Sequence, residues 1–202
     1  MINSLQLVSL SDFVLSALCL FLAGALFQNL RSQPSSDRML FYIILFAGLA
    51  AFMGGVDHGF FQPIDQRFIP QSLTYVFIAG ATFSLLRYTA LTFFSGNIQR
   101  AFHGLAYVQL VVSVICSFFY HSFLFVVLNY SPVLLLFFAM NLIYIKRGKR
   151  ELNFSIFCII LIAATLVQVF RIGISEILNG DTLYHIIACV SYLFFYLGAV
   201  KH

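Results

Sequence analysis

Residues 40–58 read LFYIILFAGLAAFMGGVDH, and this stretch decides the class of fold. From Leu40 to Val56 it contains no charged side chain, and the polar pair Asp57-His58 follows directly. A helix that spans a bilayer needs roughly 20 consecutive, predominantly apolar residues. With its flanks, the stretch predicts a spanning helix over residues 39–61 that ends in a polar pair.

The rest of the chain repeats this pattern of long apolar runs between short polar breaks. Of its 202 residues, 61% are hydrophobic and 9% are charged, whereas soluble domains carry about 25% charged residues. This composition excludes water-soluble enzyme folds and intrinsic disorder. It predicts an all-α membrane protein, a seven-transmembrane-helix bundle that forms a single domain over residues 1–202. The predicted helices cover residues 10–31, 39–61, 72–95, 101–121, 122–145, 153–178 and 182–200.

The lysines and arginines outside the spans predict the orientation of the chain. With the N-terminus outside, the outer side holds Arg67 and the inner side holds eight basic residues, a strong positive-inside bias. We therefore expect an outside N-terminus and a cytoplasmic C-terminus. The cluster at residues 146–150 is interpreted as a topology determinant or a contact for anionic lipid, not as a nucleic-acid site. The inner basic residues are Arg31, Arg38, Arg100, Lys146, Arg147, Lys149, Arg150 and Lys201.

In this topology, polar side chains from several helices reach the outer side of the bundle. Charged groups within a bilayer are costly, so they need a partner or a function. We therefore treat these residues as candidates for a functional site. They are Asp12, Asp57, His58, Arg171, Asp181 and His185.

The spacing of Asp181 and His185 fits a metal site. Residues four apart share one face of a helix, and His58 can add a third ligand from another helix. Three protein ligands with water in the fourth position are typical of catalytic zinc. In the alternative interpretation, Asp181 caps the seventh helix, His185 is a satisfied core histidine, and Asp57-His58 is an interfacial polar pair.

Two further residues are candidates for the chemistry. Asp57 can orient His58 or act as a base, and Arg171 can stabilise an oxyanion. Arg171 belongs to a predicted polar stripe on the sixth helix, which also holds Ser175 and Glu176. A structural ion pair between Arg171 and Glu176 is the alternative, as is binding of a carboxylate or phosphate.

Two motifs resemble the alkaline ceramidase/progestin-adiponectin receptor superfamily, and especially its small bacterial relatives. They are Gly54-Gly-Val-Asp-His58 in the second helix and Asp181-Thr-Leu-Tyr-His185 in the seventh. In that family, Ser-x-x-x-His and His-x-x-x-His occupy these helices, and zinc held there hydrolyses amide bonds in lipids. The resemblance implies that His58 and His185 are zinc ligands. Gly54 stands at the family's serine position, and Asp181 stands at its first seventh-helix histidine.

The sequence leaves two hypotheses for function. One is a zinc-dependent membrane hydrolase of a lipid amide or ester, with His58, Asp181 and His185 as zinc ligands and Asp57 and Arg171 as catalytic residues. The other is a non-catalytic membrane protein for binding, transport or sensing. Bound metal would favour the first hypothesis, and a continuous polar path from Arg87 to Arg171 would favour the second.

Overall fold

The computed structural model describes residues 3–28, 34–120, 122–175 and 178–200. Within these ranges it has seven α-helices and no strand, and each helix is long and apolar enough to cross a membrane. The predicted all-helical architecture of an integral membrane protein is thereby confirmed. The helices are α1 (Ser4–Phe27), α2 (Ser35–Val56), α3 (Phe68–Phe93), α4 (Gly96–Ser117), α5 (Phe123–Ile143), α6 (Lys149–Val169) and α7 (Gly180–Ala199).

The first helix begins earlier than the predicted start at residue 10. Asn3 and Gln6 form a reciprocal capping box: Asn3 Oδ1 accepts from the backbone N–H of Gln6 at 2.8 Å, and Gln6 Oε1 accepts from that of Asn3 at 3.1 Å. These side chains satisfy amide groups at the helix start that would otherwise lack partners. The polar residues before the apolar run thus belong to the helix that they cap.

The sixth helix ends at Val169, so the predicted limit of residue 178 is wrong. Arg171 adopts a left-handed conformation with φ 53°. Its N–H donates to the carbonyl of Gln168 at 3.1 Å, and Ile172 N–H donates to that of Val167 at 2.9 Å. This is the bonding of a Schellman motif, which closes a helix. Arg171 and Ser175 therefore lie beyond the helix, and Glu176 lies outside the described residues.

In the described part of the chain, six of the helices close a ring around a central cavity. α1 packs on α2 and α7, α3 packs on α2 and α5, and α6 packs on α5 and α7. α4 lies outside the ring against α3. It is also tied to α5, because Gln109 Nε2 and Ser113 Oγ both donate to Asn129 Oδ1, at 2.9 and 2.7 Å.

A cluster of buried aromatic rings fills the bundle on one side of the cavity. The ring centroids of Tyr88 and Phe154 are 5.9 Å apart, and those of Phe154 and Phe195 are 5.3 Å apart. The members of this aromatic floor are Tyr88, Phe137, Phe154 and Phe195, all nearly inaccessible. Each ring lies three residues from a cavity-lining residue on its own helix. The four rings therefore close the inner end of the cavity.

The two ends of the bundle differ in charge. The basic end holds the start of α2 and the α5–α6 connection, where Arg150 Nη2 contacts Asp37 Oδ1 at 2.6 Å. The Arg150 guanidinium also lies over the rings of Tyr88 and Phe154. The other end, here the cavity end, holds the starts of α1, α3, α5 and α7. The aromatic floor separates the two.

Candidate functional site

A cavity of about 810 Å³ opens at the cavity end and extends into the ring. Polar side chains line its mouth and its upper wall, and apolar side chains line its depth. The deep lining includes Leu15, Ile43, Leu85, Leu134, Phe157 and Leu161. A concave, mostly apolar space with a few convergent polar groups is the usual form of a small-molecule site.

The carboxylate of Asp12 lies at the centre of the polar wall. Asp12 is 3% exposed and lies two turns into α1. Its Oδ1 is 3.0 Å from His185 Nε2, and its Oδ2 is 3.9 Å from His58 Nε2. The second distance is too long for a hydrogen bond, and Asp12 Oδ2 is buried without a hydrogen-bond partner in the described structure. Residues from α1, α2 and α7 thus converge on one carboxylate.

Both histidines are held through their other ring nitrogen. His58 Nδ1 is 2.6 Å from Gln62 Oε1, a carbonyl oxygen that can accept but not donate. His185 Nδ1 is 2.9 Å from Ser11 Oγ, whose hydroxyl already donates to the carbonyl of Val8 at 2.7 Å. Gln62 thus accepts from the N–H on His58 Nδ1, whereas the Ser11 hydroxyl can turn and either accept from His185 Nδ1 or donate to it. We call Asp12, His58 and His185, with these two supports, the carboxylate–histidine cluster.

The positions of the ring protons decide how the carboxylate–histidine cluster can act. With its proton on Nε2, His185 donates a hydrogen bond to Asp12 Oδ1 at 3.0 Å. With its proton on Nδ1, a neutral histidine presents the Nε2 lone pair to the carboxylate, and a proton or a metal cation can then lie between the two atoms.

Gly54 makes room for the central carboxylate. A β-carbon at position 54 would lie 3.1 Å from Asp12 Oδ1 and 3.3 Å from its Oδ2. Three residues later, α2 widens into a π-turn, Asp57–Phe61, in which Gln62 N–H donates to the carbonyl of Asp57. Such turns are frequent at functional sites. The glycine and the π-turn bring His58 beside Asp12 without a clash.

Asp57 belongs to an ion pair at the mouth. Arg67 Nε lies 3.2 and 3.1 Å from the two carboxylate oxygens, and Arg67 Nη2 lies 2.6 Å from Oδ2. The hydrogen bond to Asp57 raises the pKa of Arg67, so that arginine remains charged. Asp57 is buried and pairs with Arg67, whereas His58 contacts Gln62. The interpretation of Asp57-His58 as one interfacial polar pair therefore does not fit the contacts of the two residues.

Asp181 lines the same cavity as the carboxylate–histidine cluster, and its side chain bonds to α6. Its Oδ1 accepts from Gln168 Nε2 at 3.1 Å. The cap of α7 is Asn179, which accepts from Thr182 N–H at 3.0 Å, so the prediction of Asp181 as the cap is wrong. Among the described residues, no group of three or more His, Cys, Asp or Glu side chains is arranged to hold a metal ion. This holds for the predicted set of His58, Asp181 and His185 and equally for Asp12, His58 and His185.

Arg171 lines the mouth of the cavity and is exposed there. Its backbone packs tightly against the start of α7, where a β-carbon at Gly180 would lie 3.0 Å from Arg171 Cα. Among the described residues, no ion pair or side-chain hydrogen bond engages its guanidinium. The predicted partner Glu176 lies outside the described residues.

The sequence placed Asp12 at the same level as the histidines, but the predicted zinc ligands and catalytic residues did not include it. One signal was available: Asp12 is the sole Asp, Glu, Lys or Arg among the first 30 residues. An acid within an apolar run is a candidate functional residue by default. Ser11 and Gln62 carried no comparable signal, because polar neighbours of this kind are common at helix ends.

The chain matches the model of DUF6962, a family of unknown function, over residues 7–202. No curated protein and no solved structure matches it. The resemblance to the alkaline ceramidase/progestin-adiponectin receptor superfamily stays a prediction. Since the match covers nearly the whole chain, the protein belongs to the DUF6962 family.

Proposed function

We propose that the protein is a zinc-dependent hydrolase of a bacterial inner membrane, oriented with its N-terminus outside, and that it cleaves an amide or ester bond of a lipid. One observation carries the proposal: two histidine Nε2 atoms face one buried carboxylate on the wall of an amphiphilic cavity. The orientation is supported by the charges of the loops, and the bacterial location by the family resemblance.

The donors of the carboxylate–histidine cluster suit zinc. Two imidazole nitrogens and a carboxylate form a common set for catalytic zinc, which leaves one position open. Metal-binding histidines usually donate their second ring N–H to a neighbouring acceptor, as His58 does to Gln62 and as His185 does to Ser11 when its proton is on Nδ1. Asp12 Oδ2 has no hydrogen-bond partner in the described structure and is a further oxygen that can bind the ion. We therefore propose Asp12, in place of Asp181, as the third ligand; the three side chains would have to rearrange around the ion, because in the described structure they are not arranged to hold one.

The side chains of the site have separate tasks in hydrolysis. A divalent metal, when bound, supplies Lewis acidity toward a carbonyl oxygen and toward water. Ser11 and Gln62 keep the two imidazoles in their orientation, and Asp12 offers a second carboxylate oxygen that can accept a proton from water. The apolar depth of the cavity holds the hydrocarbon chain and excludes water from it.

The catalytic roles of Asp57 and Arg171 stay predictions. Asp57 is engaged by Arg67, so it would have to leave that ion pair to act as a base. This contact favours the alternative of an amphiphile-binding protein without catalysis. Transport of a polar solute is less well supported, because Arg87 contacts Tyr107 on α4 and is not among the cavity-lining residues, and the aromatic floor lies below the cavity.

The test is metal analysis of the purified chain in detergent. We expect about one zinc per chain in the wild type. Asp12→Asn and His185→Ala should lose most of it, whereas Asp181→Asn and the α4 variant His103→Ala should retain it. Loss in Asp181→Asn with retention in Asp12→Asn would restore the ligand set predicted from the sequence. No zinc in the wild type would mean that a proton occupies the cluster and would reject the metal site.

Hydrolysis is tested separately with a panel of N-acyl and O-acyl lipids. Turnover should depend on zinc and should be lost in His58→Ala and after chelation. Turnover that survives both would refute the mechanism. Stoichiometric zinc without turnover would favour the binding protein.

A further inference from the structure

We infer that the ligand of the cavity is a single-chain amphiphile with an anionic head group, and that Arg171 binds the carboxylate or phosphate of that head. The inference deepens the proposed function and rests on it for the position of the cleaved bond, but the binding that it describes needs neither zinc nor turnover.

The cavity is layered from its mouth to its floor. Arg67, Gln71, Arg171 and Asp181 line the mouth, and the carboxylate–histidine cluster lies below them. Apolar side chains follow down to the aromatic floor. A charged head at the mouth, a polar linkage at the cluster and a hydrocarbon chain in the depth would match these three layers.

The backbone of Arg171 is held in a conformation that favours glycine. Its φ of 53° is costly for a residue with a β-carbon, and the C′ position of a Schellman motif is usually glycine. The two hydrogen bonds of the motif and the close approach of Gly180 fix this turn. An arginine at this strained position points to a use for its side chain, because strained residues concentrate at functional sites.

Among the charges at the mouth, Arg171 is the available cation. Arg67 pairs with Asp57, and Asp181 is a further carboxylate of the lining whose hydrogen bond from the neutral amide of Gln168 does not cancel its charge. Arg171 has no ion-pair partner among the described residues. A guanidinium presents paired N–H donors that match a carboxylate or a phosphate. The guanidinium of Arg171 is therefore the group at the mouth that favours an anionic head.

The start of α7 brings the backbone of Arg171 near the carboxylate–histidine cluster. Gly180 packs on the Arg171 backbone, and His185 lies five residues further along the helix, which is about 7.5 Å. A head group held by Arg171 and a linkage at the cluster can therefore belong to one molecule. The cavity volume of about 810 Å³ lies within the range of pockets for one small ligand, which favours one acyl chain over two.

Binding is tested with the full-length, chelator-treated protein in neutral lipid nanodiscs by native mass spectrometry. The probes are oleoylglycine, oleoyl lysophosphatidate, neutral oleoylethanolamide and two-chain dioleoyl phosphatidate. We expect the two single-chain anions to bind at least tenfold more tightly than the other probes. Inorganic phosphate and acetate serve as head groups without a chain, and we expect neither to compete at equal concentration.

The variant that isolates the side chain is Arg171→Gly, because glycine suits the backbone of this turn and the fold should survive. It should lose at least tenfold in affinity for the anions and keep its affinity for oleoylethanolamide. Arg171→Lys should retain part of the preference, and Arg147→Gln at the basic end should retain all of it. Equal binding of charged and neutral probes by the wild type would overturn the inference.

A second comparison tests the alternative that Arg171 only forms a structural ion pair with Glu176. If Arg171 served only as the partner of Glu176, Arg171→Gly and Glu176→Gln would lower the melting temperature alike and leave the preference for anions unchanged. That result would overturn the inference. Zinc-dependent turnover of neutral lipids without any anion preference would likewise refute this inference and leave the proposed function intact.

Discussion

The carboxylate of Asp12 lies directly against the α-carbon of Gly54, so that a β-carbon at position 54 would come within 3.1 Å of Asp12 Oδ1. The two residues belong to neighbouring helices, α1 and α2. In the family that the sequence resembles, a serine stands at the position of Gly54. In this chain, the carboxylate of Asp12 occupies the space that a side chain at position 54 would need.

Gly54→Ala tests this relationship without removing any proposed ligand. The added methyl group should push the carboxylate away from the histidines and lower zinc affinity by roughly tenfold or more. Overpacking should also cost about 1 kcal/mol in the free energy of unfolding. Zinc titration and thermal unfolding measure the two effects. Gly24→Ala is the control, because a β-carbon at Gly24 meets nothing within 4 Å. Unchanged affinity in Gly54→Ala would remove Asp12 from the ligand set.

The ion pair between Asp57 and Arg67 predicts an asymmetric effect of mutations. Arg67→Gln should lower the free energy of unfolding by about 2 kcal/mol, because it leaves the buried Asp57 carboxylate without its cation. The double variant Asp57→Asn/Arg67→Gln should lose less, since no buried charge remains. Unfolding in detergent measures both, with the exposed Arg38→Gln as control. A double variant that is less stable than Arg67→Gln would contradict this explanation.

At the start of α7, Asn179 caps the helix and Asp181 does not, so substitutions of the two residues should differ in their effect on stability. Asn179→Ala should cost about 1 kcal/mol in the free energy of unfolding, because Thr182 N–H loses its side-chain acceptor. Asp181→Asn should cost less, since Asp181 contacts Gln168 and does not cap the helix. Thermal unfolding of the two variants gives the comparison. A larger loss in Asp181→Asn would show that the carboxylate has a structural role that its contacts do not indicate.

The orientation in the membrane is tested by labelling of single cysteines. Gln66→Cys lies in the exposed α2–α3 connection at the cavity end, and Lys146→Cys is exposed at the basic end. An impermeant thiol reagent added to intact cells should label position 66 and leave position 146 unlabelled until the membrane is opened, because basic loops stay inside. Labelling of position 146 from outside would reverse the topology and place the cavity mouth on the cytoplasmic side.

The amino-acid sequence by itself determined the number of helices and the level of the polar residues. Hydropathy is a local property, so a run such as Leu40–Val56 specifies a spanning helix whatever its neighbours are. Alternating direction then placed Asp12, His58 and His185 at one end of the bundle. The exact helix ends were less predictable, because Asn3 extends α1 by a cap and Arg171 ends α6 through a turn that usually contains glycine.

The tertiary structure decided which of these polar residues meet. Asp12, His58 and His185 are distant in the sequence, and their distances depend on how α1, α2 and α7 pack around Gly54. The spacing of Asp181 and His185 was compatible with a shared ligand, but Gln168 on α6 engages Asp181 instead. Periodicity along one helix restricts which residues share a face, whereas the partner across the bundle is set by packing between helices, which no local pattern encodes.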